Sequence, residues 1–161
     1  MPSTNYRAIG SGTRATDHNC FGCGVLNVHG LRLEIVFDPD GEGVITRFVP
    51  ARRTEGYTGM VHGGIITAVL DEVMAWSLYR QGIWAVTGRL TTCYRKPIVL
   101  GEHTTGRGFL VRDRGRALEM RGEIRRDLDD ELLADATATF IRVPESKAVA
   151  WQARYGSLSQ S

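Results

Sequence analysis

Lysine is almost missing from this chain. It occurs only at Lys96 and Lys147, so arginine supplies nearly all of the 20 basic residues. Against 18 acidic residues the formal charge is only +2, with the two signs interspersed. A nucleic-acid platform usually concentrates its basic residues on one face, and this pattern lacks such a block. Arginine's rigid fork suits phosphate, but composition alone assigns no ligand. Long apolar runs are missing too: no stretch approaches the roughly 20 residues that a membrane span needs. Met1 to Asn19 is polar and mixed, without the apolar core of a secretory signal, so a cytoplasmic protein is expected. Cysteine is scarce and odd in number (Cys20, Cys23 and Cys93), which fits a reducing compartment better than a disulfide framework. Internal repeats and low-complexity stretches are likewise lacking.

What remains is an ordinary globular composition, 42% hydrophobic and 24% charged over 161 residues, enough for one domain with one core. Leu31, Leu33, Ile35 and Phe37 alternate as a strand, and Asp38-Pro39-Asp40-Gly41-Glu42-Gly43 is turn chemistry before a returning strand at Val44 to Val49. From Ile65 to about Tyr79 the period changes to that of a helix. Ile66, Val69, Leu70, Val73, Met74 and Ser77 share a face, and Ile65, Ala68, Ala75, Trp76 and Leu78 make most of the remaining surface apolar. A helix apolar nearly all round is a buried helix, and Gly82 is its expected stop.

Strands are expected at Trp84 to Arg95, Thr104 to Arg112, Leu118 to Arg125 and Leu132 to Val143, with a tight turn at Arg112-Asp113-Arg114-Gly115. Pro144 to Ser161 reads as a tail or short helix that packs through Trp151 and Tyr155. Two strands, one buried helix and four strands define an α+β protein in which a curved antiparallel sheet wraps one long central helix. The expected divisions are an N-terminal extension over 1–30, a core domain over 31–143 and a tail over 144–161.

The chemical anomaly is Asp71-Glu72 inside the apolar helix. A buried carboxylate must be paired, hydrogen-bonded or turned to a cavity with a task. The plain alternative is that Glu72 reaches solvent while Asp71 bonds Thr67 one turn back. A second anomaly is His62-Gly63-Gly64 at the helix start. Unpaired N–H groups and the helix dipole favour negative charge there, and glycine lets a ligand approach, so the terminus suits a phosphate or an oxyanion. A merely flexible loop-to-helix junction is the alternative. Asp71 lies eight residues beyond Gly63, about 12 Å along the axis, so one carbonyl cannot touch both groups of one helix. If both act on one substrate, they come from two copies, and a homodimer with two composite sites is expected.

The segment Gly59-Met60-Val61-His62-Gly63-Gly64-Ile65-Ile66-Thr67-Ala68-Val69-Leu70-Asp71-Glu72 resembles the signature of hot-dog fold acyl-CoA thioesterases, in the branch named for phenylacetic acid degradation (PaaI-like). Ala85 to Leu90 and Tyr94-Arg95-Lys96-Pro97 are similar to that family's next strand. Cys20-Phe21-Gly22-Cys23-Gly24, Asn27 and Gly30-Leu31 resemble an N-terminal extension of some members. The resemblance spans roughly residues 18 to 143. It implies a hot-dog fold and hydrolysis of an acyl-CoA. Asp71 matches the carboxylate that acts as nucleophile or general base. Gly63 matches the residue whose N–H polarises the thioester carbonyl, with His62 beside it. Thr87 matches a Ser or Thr that helps place the water. Gly64, Glu72, Arg95 and Lys96 are expected at the substrate, the last two as cations for coenzyme A phosphates. Where some relatives carry a polar amide, this chain has Gly56, with Glu55 adjacent. The resemblance implies a homodimer, with pairing into a homotetramer expected, and no cofactor beyond the coenzyme A of the substrate.

Three further readings complete the expectations. Cys20-x2-Cys23 with His18 and His29 nearby has the donors for zinc, but one such pair with irregularly spaced histidines does not define a site, and no metal is expected. A thioredoxin-type role needs a strand-to-helix setting absent from this region. Cys93 alternates within a strand and is expected in the core. The rival functions are a hydratase or dehydratase, which would rely on a His and Asp pair placed elsewhere, and a non-catalytic acyl-CoA or small-ligand binding module.

Overall fold

The computed structural model describes residues 18–156. The expected leaderless start, Met1 to Asp17, and the end of the tail, 157–161, lie outside the described residues. Strands β1 (Ile35–Phe37) and β2 (Val44–Phe48) precede helix α1 (Gly63–Arg80). Strands β3 (Ala85–Tyr94), β4 (Thr104–Arg114), β5 (Ala117–Arg126) and β6 (Leu132–Arg142) follow, and helix α2 (Glu145–Tyr155) closes the described chain. All neighbouring strands pair antiparallel, in the order β1-β2-β4-β5-β6-β3. The 18-residue helix α1 lies against the concave face.

The α1 boundaries follow from end chemistry. His62 is the N-cap: its backbone is extended and its imidazole Nδ1 accepts the Gly64 N–H at 2.9 Å. At the other end Gly82 takes φ +72°, and Gly82 N–H bonds Tyr79 O while Ile83 N–H bonds Leu78 O. That paired closure needs a left-handed residue just past the helix, which glycine supplies without strain. Helix α1 therefore starts two residues earlier than its periodicity suggests, because the glycines of the cap are already helical.

Val69, Leu70, Val73 and Met74 are fully buried and meet Ile35, Val44, Leu118, Met120, Ile124, Leu133 and Phe140 of the sheet. Each such side chain contributes about 1.5–3 kcal/mol by leaving water. The helix seats closely because β4 presents small residues to it. A Cβ at Gly108 would stand 2.3 Å from the Val73 carbonyl carbon, inside any tolerable contact.

Three details depart from the sequence reading. The first strand shortens to Ile35–Phe37, since Leu31 and Leu33 are tied instead to the N-terminal segment through Phe21 O and Gly22 O. The β4–β5 turn moves to Gly115-Arg116, with Gly115 at φ +81° and its N–H bonded to Asp113 Oδ1. Cys93 is exposed, not in the core. Strand β3 is one of the two sheet edges, and among the described residues nothing buries the face onto which Cys93 alternates. The tail is helical, as α2, and its Trp151 and Tyr155 rings stand 6.0 and 6.2 Å from Trp84.

Candidate active site

Asp71 and Glu72 leave α1 in different directions and enter different surroundings. Asp71 Oδ1 accepts the Thr87 hydroxyl at 2.7 Å. Burial raises its pKa, and the Thr87 bond partly offsets the rise. The contact with Thr67 one turn back does not form. Thr67 bonds Thr92 at 3.1 Å and the Tyr94 hydroxyl at 2.8 Å instead.

Thr87 reaches Asp71 through a break in strand register. Leu90 packs on the core, and Thr92 and Tyr94 bond Thr67, so even-numbered positions of this stretch face α1. Thr87 would then point away. Between Thr87, opposite Phe140, and Arg89, opposite Thr139, Gly88 is left unpaired. This β-bulge re-phases the strand and aims Thr87 at the carboxylate. A Cβ at Gly88 would meet Ile141 Cγ1 at 2.9 Å, so the bulge is made where the least bulky residue stands.

The helix start lies in a cavity of about 770 Å³ lined by Glu55, Gly56, His62, Gly63, Tyr94, Arg95 and Lys96, among others. The Gly64 N–H, expected at the substrate, is spent on the His62 cap. The Gly63 N–H has no hydrogen-bond partner among the described residues and is the remaining free donor of the first turn. Tyr94 donates its hydroxyl to Gly63 O at 3.0 Å and holds this residue in place. The sequence reading assigned Tyr94 no role, although it stands directly before Arg95. Arg95 is half-exposed and bonds Asp135 at 2.6 Å, while Lys96 faces Glu131 at 3.8 Å. Glu55 accepts the Gly59 N–H at 2.7 Å. A Cβ on Gly56 would lie 2.9 Å from His62 Cα, so the missing amide at this corner leaves room for the cap to pack.

Asp71 and Thr87 do not line this cavity. Glu72 lies farther off still. It is part-buried and engaged within the fold: it takes the Trp76 indole N–H at 2.9 Å and lies 3.8 Å from the Cys20 thiol. Burial first, then the neighbouring Cys20, push its pKa up to about 7. Neighbours in sequence are thus separated by helical geometry, since adjacent positions differ by about 100° around the axis.

A curved antiparallel sheet around one buried helix is the hot-dog fold, here with a carboxylate at mid-helix and a free N–H at the helix start. Residues 58–134 match the model of the thioesterase superfamily. The chain is 29% identical over 103 residues to the mouse acyl-coenzyme A thioesterase THEM4, covering 64% of this chain and 44% of that protein. It spans about half the length of the curated relatives it matches. Among solved structures, a phenylacetic acid degradation-related protein of Ralstonia eutropha superposes with a TM-score of 0.60 at 27% identity, over 69% of this chain and 85% of that one. The smu.793 protein of Streptococcus mutans, solved bound to acetyl CoA, has a TM-score of 0.63 at 24% identity, over 69% and 88% of the two chains. The superfamily match spans just under half of the chain's 161 residues. No helix among the described residues is long and apolar enough to cross a membrane.

Proposed function

We propose that this protein hydrolyses an acyl-CoA, with Asp71 as general base or nucleophile, Thr87 as its hydrogen-bond partner and Gly63 as the oxyanion donor. The observation that carries the reading is the half-buried Asp71, raised in basicity by burial and held by one hydroxyl, in a helix otherwise given over to packing. A thioester carbonyl needs little more than a carboxylate to deliver water and an N–H for the developing oxyanion. The name of the THEM4 relatives supports acyl-CoA as the substrate class. Arg95 and Lys96, beside Gly63, are the cations proposed for the coenzyme A phosphates.

In one chain the carboxylate and the free N–H do not meet, so the proposed site is composite. Strand β3 is an exposed ten-residue edge, and its free N–H and C=O groups suit pairing with a second copy. A two-fold axis beside β3 would set the helices antiparallel and bring Gly63 of one copy to Asp71 of the other. A homodimer, pairing further into a tetramer, belongs to this proposal. No cofactor is invoked for hydrolysis.

The test is thiol release from short, long and aromatic acyl-CoAs by wild type and Asp71→Asn. Turnover that falls at least a thousandfold in the variant is expected. Saturable binding without turnover by the wild type would sink the hydrolase reading and leave a binding module.

A further inference from the structure

The N-terminal loop builds a second polar centre that hydrolysis does not use. Cys20, Cys23 and Glu72 bring one donor atom each within 4.8 Å of one another. From the distances, donors and loop geometry we infer that these three residues form a zinc site, with the fourth position taken by water or by His18, which touches Cys23 but lies outside the 4.8 Å cluster. This departs from the expectation of no metal, and it rests on residues that are distant in sequence.

Four observations carry it. First, the spacing suits a tetrahedral ion. Zn–S near 2.3 Å and Zn–O near 2.0 Å place two ligand atoms roughly 3.5 Å apart. Cys20 Sγ stands 3.8 and 3.9 Å from the Glu72 oxygens, and His18 Nε2 stands 3.2 Å from Cys23 Sγ. Second, the loop folds tightly between the two cysteines: Gly24 N–H closes a turn on Cys20 O at 2.9 Å, so both thiols come from one compact turn.

Third, Trp76 Nε1–H points at both Glu72 Oε1 (2.9 Å) and Cys23 Sγ (3.4 Å), so one indole orients two proposed ligands. Gly22 leaves room for the Glu72 carboxylate in its present place: a Cβ there would fall 2.3 Å from Glu72 Oε2. Fourth, a cavity of about 530 Å³, walled by Trp76, Trp84 and Tyr155, opens onto the cluster and supplies an entry path. His29, the other nearby histidine, is exposed and takes no part.

Two thiolates with a carboxylate select zinc over magnesium or calcium, which prefer oxygen. On binding, each cysteine releases its thiol proton to solvent and the zinc keeps its charge; no redox change is involved. The ion would fasten the loop over 18–24 to the middle of α1. Glu72 is thereby moved from the substrate, where the resemblance put it, to the metal.

The test uses the full chain, purified under reducing conditions without chelator. Zinc content by mass spectrometry is expected at about one ion per chain, and a strong chelator should lower the melting temperature by several degrees. Exchange for cobalt should produce thiolate-to-metal charge-transfer absorption that Cys20→Ser abolishes and Cys93→Ser keeps. Glu72→Gln, close in shape to the native side chain, should weaken zinc binding at least tenfold with the far-ultraviolet circular dichroism unchanged. That second variant keeps the test decisive if Cys20→Ser fails to fold. Reduced, folded wild type that takes up neither zinc nor cobalt overturns the proposal. So does a cobalt band that survives Cys20→Ser, or a Cys20–Cys23 disulfide in place of bound metal.

Discussion

Replacing Thr87 by valine isolates one bond. Valine keeps the shape of threonine and removes the hydroxyl that donates to Asp71 Oδ1 at 2.7 Å. A hydrogen bond to a charged group contributes about 1.5–3 kcal/mol. Thr87 is exposed and Asp71 half-buried in the single chain, so water replaces part of the lost bond. The expected loss is therefore about 1–2 kcal/mol, or roughly 5- to 30-fold in kcat/KM at about 1.4 kcal/mol per factor of ten. Thr87→Ser restores the donor and should recover most of it. The assay is thiol release from whichever acyl-CoA the wild type turns over, with thermal unfolding followed in parallel. A Thr87→Val enzyme as active as wild type, beside an inactive Asp71→Asn, would remove Thr87 from the mechanism. A stability loss as large as the activity loss would reduce Thr87 to a strut between β3 and α1.

Gly108→Ala puts a Cβ 2.3 Å from the backbone of Val73 and 2.6 Å from Met74 N, so it should cost about 3 kcal/mol or more and lower the melting temperature by roughly 6–12 °C. Gly106→Ala meets only side-chain methyl groups, at 3.2–3.7 Å, and should cost clearly less; equal losses in urea unfolding would contradict this packing. If Arg95 and Lys96 serve the coenzyme A phosphates, Arg95→Gln with Lys96→Gln should raise KM about tenfold at low salt with kcat held, and the difference should shrink as salt is added. An unchanged KM would return both residues to their partners Asp135 and Glu131.

The Gly115 N–H, then Arg142, hold the Asp113 carboxyl below its ordinary value of 3.8. Because the folded value is the lower one, the contribution to stability is present above the unfolded pKa and lost as pH falls through the folded one. An NMR titration should give Asp113 a midpoint below 3.8, and a midpoint at or above it would disprove the turn's bonding.

Much of this protein was legible in one dimension because periodicity reports burial directly. The change from period 2 to period 3.6 at Ile65, and the polar breaks at Asp38–Gly43 and Asp127–Glu131, define the element order without reference to the fold. Asp71 stood out for a related reason: a carboxylate in an apolar helix needs an explanation wherever that helix sits.

Only the tertiary structure decided what each polar group faces. Strict alternation along β3 turns Thr87 away from α1, and the bulge at Gly88 reverses it. That bulge depends on pairing with β6, some fifty residues later, which no local pattern encodes. Cys93 is exposed because it alternates onto the sheet face turned away from α1, which no described element buries, a property of the packing and not of the strand itself. Glu72, one residue from Asp71, was read as part of the same site. Its real companions are Trp76, one turn on in α1, and Cys20 and Cys23, which the N-terminal loop lays against a different side of the helix. Sequence determines which side chains must be sheltered; partners contributed by distant segments are settled only when the sheet closes around the helix.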